Sequence, residues 1–416
     1  MLKMIERRKL EQILPEINYD EAKVPLREVP SALIMNNGQR VDNAWQWMNL
    51  RRPEIIDFYR REVFGETPAM PEMMKHEILS VKDDALDGRA IRKEIKMTFS
   101  HRGNSRSWTM LLYIPKNAKG KVPVTLGLNF RGNHAASPEN DVIMTGRKCD
   151  GSWVEEQRGI QSDRWEFANV IGRGFASATV CYHDIFPDFA TGEAWKQSIY
   201  GLLYPEKSPA ELNAKYSAIG AWAWGLSRML DVLSSEEKID CSRAMVTGHS
   251  RLGKTALWAG ANDARFSVVV SNDSGHGGAA LFRRCLGENI EVLVTNFPHW
   301  FVSGFDKYVG KDADLSFDQH FLLSLIAPRS LCIGSATEDL WADPKGEFLA
   351  GLHASEVYRL FGATGMPVTE HPAPDVDVTG EVSYHLRTGA HNILWQDWDH
   401  YLTVAETVFG CKLLKK

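Results

Sequence analysis

The sequence contains no closely spaced pair of cysteines. Its six cysteines are scattered along 416 residues, and a Cys-x-x-Cys motif is absent. Structural zinc sites and disulfide-rich scaffolds both need clustered or regularly spaced cysteines. The pattern therefore predicts neither a zinc site nor a fold that depends on disulfide bonds. The cysteines are Cys149, Cys181, Cys241, Cys285, Cys332 and Cys411.

Long apolar segments and basic runs are also missing. No stretch approaches the roughly 18 apolar residues of a membrane span, and the start, MLKMIERRKLEQIL, lacks the apolar core of a signal peptide. The net charge is -5, without the basic face that phosphate backbones require. We expect no nucleic acid or membrane as a partner, and we expect a monomer. The compartment is left open.

What is present is the composition of a globular protein with a sizeable core. Hydrophobic residues make up 44% of the chain and charged residues 24%. One large domain with insertions accounts for the length. Residues 1–90 mix charged helical pieces with proline-containing loops, and we expect them to pack as an N-terminal extension on a catalytic domain of residues 91–416.

Strand-like and helix-like segments alternate after residue 90. The alternation is typical of an α/β fold with a doubly wound, mostly parallel central sheet. Loops at 133–165 and 276–325 interrupt it, and we expect these long loops to build the functional site. The predicted strands are 91–99, 107–115, 121–130, 175–183, 242–250, 265–273 and 329–339, and the predicted helices are 215–235, 251–263 and 345–362.

Ser250 is the candidate nucleophile. It ends the apolar segment AMVTGHS and begins a predicted helix, which places its hydroxyl on a sharp strand-to-helix turn, a nucleophile elbow. Gly248 permits close backbone approach, but Leu252 stands where the usual Gly-x-Ser-x-Gly pattern has its second glycine, and the next glycine is Gly253. The alternative is a helix N-cap. The following strands, each ending in an acid, and a late histidine favour the nucleophile.

The segment GHSRLGK resembles the G-C-S-R-x-G-K elbow of the glucuronoyl esterases, carbohydrate esterase family 15. The likeness spans about residues 120 to 400 and implies an α/β-hydrolase fold. His249 stands where many members, especially fungal ones, have a disulfide-bonded cysteine. This difference favours a bacterial-type member, for which the family suggests a secreted or periplasmic protein with its leader removed. The other similar segments are LGLNFRGNH, RGIQSDRW, SNDSGHGGAA, GEN, FPHWF, LIAPRSL, SATEDLWADPKGEF and TGAHNILWQDW.

His391 is the candidate base. Acyl transfer needs a group that takes the serine proton and returns it to the leaving alcohol, and a histidine titrating near neutrality suits both steps. His391 lies in the loop TGAHN after the last predicted strand and helix, which gives the chain order serine, acid, histidine of this fold. His385 and His400 are local rivals.

Two aspartates qualify as the acid that orients this histidine. Such an acid sits at the C-terminal end of a neighbouring strand. Asp273 stands where fungal relatives place their glutamate, and Asp339 occupies the position that α/β hydrolases most often use. Bacterial relatives resemble this chain at Asp339, so we rank it first and Asp273 second, ahead of Glu338 and Asp343. A loop cap or salt-bridge partner is the alternative role for each.

Residues near the serine are candidates for substrate recognition. The backbone amide of Arg251 and a second donor from the LNFRGN loop would form an oxyanion hole. By resemblance, the Arg251 side chain would also face the oxyanion, Lys254 and Glu288 would bind sugar hydroxyls, and Trp341 would form part of an aromatic wall. The alternatives are a surface salt bridge for Arg251, and solvated, capping and core roles for the other three.

The resemblance implies a serine esterase that cleaves 4-O-methyl-glucuronoyl esters between xylan and lignin alcohols. The reaction would pass through an acyl-enzyme on Ser250 and would need no metal and no organic cofactor. Two other functions are considered, an acetyl-xylan-type deacetylase and a non-catalytic carbohydrate-binding relative. Arg251 and Lys254 fit a polar sugar acid better than they fit a small acetyl group.

Overall fold

A nine-stranded sheet forms the centre of the molecule. A computed structural model describes residues 8–410. The strands are β1 (Met73–Asp84), β2 (Ala90–His101), β3 (Asn104–Pro115), β4 (Val122–Asn129), β5 (Ala176–Cys181), β6 (Ile239–His249), β7 (Phe266–Asn272), β8 (Ser330–Ala336) and β9 (Val382–Arg387). They lie in the order β1-β2-β3-β5-β4-β6-β7-β8-β9.

Most of this sheet is parallel. The first three strands and the β3–β5 pair are antiparallel, and every pair from β5 through β4 to β9 is parallel. All residues of β4, β5 and β8 are buried, as expected for strands covered by helices on both faces. The predicted α/β class with a mostly parallel sheet is confirmed.

The N-terminal part of the chain supplies one edge of this sheet. β1 is mostly exposed and pairs with β2, whereas β2 alternates between more and less buried residues. β1 belongs to the segment that we expected to be an extension, and this strand was not predicted. The proposed boundary at residue 90 falls at the start of β2, and the division into 1–90 and 91–416 stays a prediction.

Among the described residues, five helices are longer than two turns: α1 (Arg52–Glu62), α2 (Ala218–Leu233), α3 (Arg251–Asn262), α4 (Pro344–Arg359) and α5 (Trp395–Phe409). The shorter helical segments are Leu10–Ile13, Leu14–Glu16, Glu21–Lys23, Ala44–Gln46, Trp47–Arg51, Ala85–Gly88, Asn133–Ala136, Ser162–Trp165, Phe167–Gly172, Tyr182–Ile185, Gly192–Gln197, Ile199–Leu203, Pro209–Asn213, Phe282–Arg284, Ile290–Asn296, Ser303–Tyr308, Asp312–Asp314, Gln319–Ser324 and Leu340–Ala342.

The longer helices cover both faces of the sheet. α2, α3 and α4 share a large apolar cluster with Val246 and Val269, whereas α5 shares a second cluster with Met245 and Val270. Adjacent residues of a strand point to opposite faces, so the two clusters lie on opposite sides of β6 and β7. No helix within residues 8–410 is both long and apolar enough to span a bilayer.

Two elements near the end of the chain were not predicted. β9 and α5 follow the last helix identified from the sequence. They flank residues 388–394, so His391 lies between the last strand and the last helix and not after both. The five cysteines among the described residues are free thiols, and Cys411 lies outside the described residues.

Candidate active site

The turn between β6 and α3 holds Ser250 in an uncommon backbone conformation. Its φ is 57° and its ψ is -130°, a combination that stores strain and tends to occur at functional sites. The Ser250 amide donates to the carbonyl oxygen of Asn272 at 2.8 Å, which ties the turn to β7. Ser250 occupies the N-cap position of α3, but within residues 8–410 its side chain makes no capping hydrogen bond.

Close backbone packing at two glycines explains the unusual elbow sequence. A Cβ atom on Gly248 would lie 1.9 Å from the Leu252 carbonyl oxygen, and one on Gly253 would lie 2.9 Å from Cβ of Ser274. Leu252 is buried in the apolar core. The usual pattern has its close-packed glycine two residues after the serine, whereas here the close approach is made three residues after it, at Gly253. Leu252 therefore does not prevent a tight strand-to-helix turn.

His391 faces Asp339 at the carboxyl ends of the strands. Its Nδ1 atom lies 2.5 Å from Oδ2 of Asp339. The carboxylate is buried, whereas the imidazole side chain is 41% exposed. Asp339 follows β8, and His391 follows β9, which is the neighbouring parallel strand. Adjacent parallel strands therefore bring the two side chains to the same edge of the sheet.

An internal ion pair organises the loop of residues 388–394 that carries His391. Nη2 of Arg387 donates to the carbonyl oxygens of Ala390 and Asn392 at 2.8 and 3.1 Å. Nε of the same arginine donates to Asp397 at 2.9 Å. Both charged side chains are buried. The loop conformation is therefore fixed by an arginine at the end of β9 and an aspartate in the first turn of α5.

Asp273 lies near the same histidine but has different partners. Its Oδ2 accepts from the Asn392 amide at 3.2 Å and lies 3.8 Å from Nδ1 of His249. Burial, together with the nearby carboxylates of Glu347 and Asp339, raises the pKa of Asp273 well above its usual range. A neutral carboxyl group is therefore favoured at this position.

His249 packs directly against His391. The ring centroids are 4.4 Å apart, and Nδ1 of His249 lies 2.7 Å from Oδ1 of Asn272. Burial and the proximity of His391 hold the pKa of His249 well below its usual range, which favours a neutral ring. The ligand atoms of His249, Asp273 and His391 all lie within 4.8 Å of one another, close enough to share a metal ion.

The other candidates for base and acid have other partners. His385 and His400 both contact Oδ1 of Asp377, with Nδ1 atoms at 2.8 and 3.0 Å. Glu338 is exposed, and Asp343 caps α4. The geometry therefore favours His391 over the two other histidines and Asp339 over the two other acids.

Arg251 is held by a buried carboxylate, Asp188, that was not among the predicted site residues. The guanidinium donates to Asp188 and lies 4.5 Å from the centroid of the Trp300 ring. Asp188 also accepts from Nε1 of Trp300 and from the hydroxyl of Tyr182, both at 2.7 Å, and contacts Nε2 of His299 at 2.7 Å. The Arg251 side chain is 27% exposed and the Asp188 side chain 4%, so this is not a surface salt bridge.

The surroundings of Asp188 keep it ionised. Burial alone would raise the pKa of Asp188, but the hydrogen bond from His299 and the charge of Arg251 hold it well below its usual range. Asp188 lies shortly after β5, and an acid near the carboxyl end of a buried strand is the signal that could have identified it. His299 and Trp300 belong to the FPHWF segment, whose residues had been given no role.

Lys254 lies one helical turn beyond the elbow and forms a second buried pair with Glu288. Nζ of Lys254 donates to the Ser274 carbonyl oxygen at 2.6 Å and lies 3.4 Å from Oε2 of Glu288. The Glu288 amide donates to the carbonyl oxygen of Trp341 at 2.9 Å, and Trp341 is half-buried. The three residues predicted to contact sugar are therefore linked to one another in space.

Glu347 supports the loop that follows β7. Its Oε1 accepts from the amides of Ser274 and Gly275, both at 2.9 Å, and its Oε2 accepts from the Ser335 hydroxyl at 2.6 Å. Burial raises the pKa of Glu347 to about 8. This role could not be predicted from the sequence because Glu347 lies within a helix, where a glutamate is ordinarily a solvated residue.

The loop after β4 lies beside the elbow. Asn129 accepts from the Gly132 amide at 2.8 Å and donates to Asn133 at 2.9 Å. Phe130 meets His249 edge-on, with ring centroids 6.2 Å apart. The LNFRGN segment therefore lies beside the residue that precedes Ser250, and a second oxyanion donor from this segment stays a prediction.

The mostly parallel sheet, covered on both faces and carrying a serine at the turn after β6, defines an α/β hydrolase. Comparison with known proteins gives the family. The family described as fungal glucuronyl esterases matches residues 169–362. A carbohydrate esterase from an unknown prokaryotic organism is 40% identical in an alignment of 404 positions that covers 94% of this chain and 91% of that protein.

Two further relatives agree. The 4-O-methyl-glucuronoyl methylesterase of Phanerochaete carnosa is 34% identical over 82% of this chain and 74% of its own length. The solved structure of a glucuronoyl esterase from Solibacter usitatus is 40% identical and superposes with a TM-score of 0.88, covering 94% of this chain and 100% of that one. The chain belongs to carbohydrate esterase family 15, as the elbow sequence indicated.

Proposed function

We propose that this protein hydrolyses 4-O-methyl-glucuronoyl esters, such as those that join xylan to lignin alcohols, through an acyl-enzyme on Ser250. The observation that carries the proposal is the 2.5 Å contact between Nδ1 of His391 and Asp339. The His391 ring packs against His249, which directly precedes a serine in a strained elbow. Membership of a carbohydrate esterase family and relatives named as glucuronoyl methylesterases support this substrate class.

The first half of the reaction transfers the acyl group to the enzyme. His391 takes the hydroxyl proton of Ser250 on Nε2 while Oγ bonds to the ester carbonyl carbon, and Asp339 stabilises the imidazolium through Nδ1. Collapse of the tetrahedral intermediate breaks the bond to the alcohol oxygen, which receives the proton from His391. The alcohol leaves, and the uronoyl group stays on Ser250.

The second half repeats these steps with water. His391 removes a proton from water as its oxygen attacks the acyl carbon, and the returning proton releases Ser250 and the free uronic acid. In both halves the oxyanion is near the first turn of α3. The amide of Arg251 supplies one donor, and the cation of its side chain, held by Asp188, adds electrostatic stabilisation.

The buried pairs also suit a sugar acid. The ring hydroxyls of a glucuronoyl group need both donors and acceptors, and Lys254 with Glu288 offers one of each at a single place. Trp341, linked to Glu288 through its backbone, would present an aromatic side chain to the sugar ring. A donor, an acceptor and an aromatic side chain together fit a polar sugar acid better than a small acetyl group.

The test compares substrates and a nucleophile variant. We expect the wild type to hydrolyse benzyl glucuronate faster than a sugar acetate, and Ser250→Ala to lose turnover while keeping sugar binding by calorimetry. Faster turnover of the acetate would identify a deacetylase. A wild type that binds glucuronate without hydrolysing either ester would identify a non-catalytic binding protein. Unchanged hydrolysis by Ser250→Ala would remove Ser250 from the mechanism.

A further inference from the structure

Asp377, His385 and His400 form a cluster that the proposed reaction does not use. They come from the segment before β9, from β9 itself and from α5. Both Nδ1 atoms point at Oδ1 of Asp377, at 2.8 Å from His385 and 3.0 Å from His400. The two imidazole rings stack with centroids 5.2 Å apart. Three potential ligand atoms on three segments therefore converge within 4.8 Å.

A fourth residue, Asp397, lies behind this cluster. Its Oδ1 is 3.6 Å from Nε2 of His385. Both atoms are buried, and neither has a hydrogen-bond partner among the described residues. The other oxygen of Asp397 accepts from Nε of Arg387 at 2.9 Å and from the Leu394 amide at 2.8 Å. The ring of His385 thus lies between two carboxylates, one buried and one 57% exposed.

A neutral imidazole cannot satisfy both carboxylates at once. It carries one N–H donor, and its other nitrogen is an acceptor. If Nε2 of His385 carries the proton and faces Asp397, then Nδ1 presents a lone pair to the oxygen of Asp377. A positive charge between those two atoms resolves the conflict.

We propose that Asp377, His385 and His400 bind a divalent transition-metal ion of the Zn²⁺ class through one carboxylate oxygen and two Nδ1 atoms. Imidazole nitrogen with carboxylate oxygen is a ligand set that Zn²⁺ favours, and three protein ligands leave a fourth position for water. Asp377 is the exposed member, so the fourth position faces solvent. Asp397 then accepts from Nε2–H of His385, as carboxylates beside metal-bound histidines commonly do.

The geometry needs only a small adjustment. Metal–ligand bonds of about 2.0–2.1 Å in a tetrahedron place neighbouring ligand atoms about 3.3 Å apart. The two Nδ1–Oδ1 separations of 2.8 and 3.0 Å must therefore open by a few tenths of an ångström. Asp377 can supply this movement because its side chain is exposed.

Such an ion would stabilise the part of the chain that carries His391. β9 ends just before the loop of residues 388–394, and α5 begins just after it. An ion bound to His385 on one side and His400 on the other joins the two flanking elements. The site is structural and makes no contact with the reacting ester. Removing the ion would lower the free energy of unfolding and would have a smaller effect on the rate of the chemical step.

The test measures metal binding by the tag-free full chain. The cluster of His249, Asp273 and His391 could also take an ion, so the measurements are made in a His391→Asn background as well. We expect about one tightly bound Zn²⁺ per chain in both backgrounds, a melting temperature that Zn²⁺ raises by several degrees and chelation lowers again, and visible absorption bands of tetrahedral Co²⁺ after substitution.

Variants of the cluster separate this site from other surfaces. Asp377→Asn keeps an acceptor oxygen at an exposed position and should fold, yet it should weaken Zn²⁺ binding at least tenfold, and His400→Gln should do the same. His76→Gln, an exposed histidine on β1, should change nothing. Absence of saturable Zn²⁺ binding, or binding that survives in both cluster variants, would overturn the proposal and leave a hydrogen-bonded cluster that holds only protons.

Discussion

Replacing Asp339 by asparagine is the sharpest test of the proposed catalytic pair. The carboxylate lies 2.5 Å from Nδ1 of His391 and is buried. In the proposed mechanism it accepts the Nδ1 proton and leaves Nε2 free to accept the proton of Ser250. An asparagine of the same shape offers either a neutral oxygen or an N–H group. When its N–H group faces Nδ1, the proton moves to Nε2, and the imidazole can no longer accept from the serine.

The magnitude follows from the charge that is lost. Opposite charges about 4 Å apart interact by about 4 kcal/mol at an effective dielectric constant of about 20. Each 1.36 kcal/mol or so corresponds to a tenfold change in rate, so loss of the imidazolium–carboxylate interaction should lower kcat about 10³-fold. The tautomer change adds to this loss. We expect a total reduction of about 10³- to 10⁴-fold.

Asp273→Asn is the matched control. Asp273 accepts from the Asn392 amide at 3.2 Å, and its raised pKa favours the neutral carboxyl group, which an amide imitates. We expect kcat to fall by less than about tenfold, because this substitution removes no charge from the catalytic pair. Hydrolysis of benzyl glucuronate by both variants, with melting temperatures to exclude unfolding, measures the ratio. Equal losses, or a greater loss for Asp273→Asn, would refute the assignment of Asp339 as the acid.

Three other perturbations test neighbouring features. Asp188→Asn should leave the Arg251 cation uncompensated, so free glucuronate should inhibit several-fold more strongly while kcat falls; an unchanged inhibition constant would contradict this. Burial raises the pKa of Glu347 from 4.5 to about 8. The neutral side chain therefore stabilises the folded state fully below the pKa that Glu347 has in the unfolded chain, and this stabilisation is lost as the pH rises through 8. Glu347→Gln should therefore flatten the fall in melting temperature between about pH 5 and 9, and an unchanged slope would refute this. Gly248→Ala places a Cβ atom 1.9 Å from the Leu252 carbonyl oxygen and should cost more than about 2 kcal/mol of unfolding free energy. Gly304→Ala, with nothing within 4 Å, is its control, and equal denaturation midpoints would contradict the steric argument.

The parallel strands and the elbow could be predicted because their signals are local. A continuous apolar segment indicates a strand buried on both faces, and a glycine two residues before a serine at its end indicates a sharp turn. The position of Leu252 looked like a departure from the usual pattern. The steric reason, an approach made at Gly253 instead, depends on where Ser274 lies and could not be read from spacing.

The partners of the candidate residues were harder to predict because they are distant in sequence. Asp188 meets Arg251 across 63 positions, and nothing near either residue indicates the pairing. β9 was missed because polar residues such as His385 and Arg387 interrupt its apolar pattern. Those side chains are buried only because Asp397 and other distant groups pair with them. Burial of a charged residue depends on its partner, and the partner is known only from the fold.

The charges around Ser250 suggest how an esterase can stabilise the negative charge of the transition state without retaining its acid product. Hydrolysis turns a neutral ester into a carboxylate, and two free cations, Arg251 and Lys254, would hold that anion. Each cation is instead paired with a buried carboxylate, Asp188 or Glu288, so the net charge of the four groups is close to zero. A preorganised dipole of this kind still stabilises an oxyanion formed beside its positive end, because that benefit depends on short-range orientation. Its attraction for a carboxylate that has begun to leave falls more steeply with distance than that of a lone charge. Pairing each cation therefore favours release of the acid. Asp188→Asn leaves Arg251 unpaired and should therefore strengthen inhibition by free glucuronate.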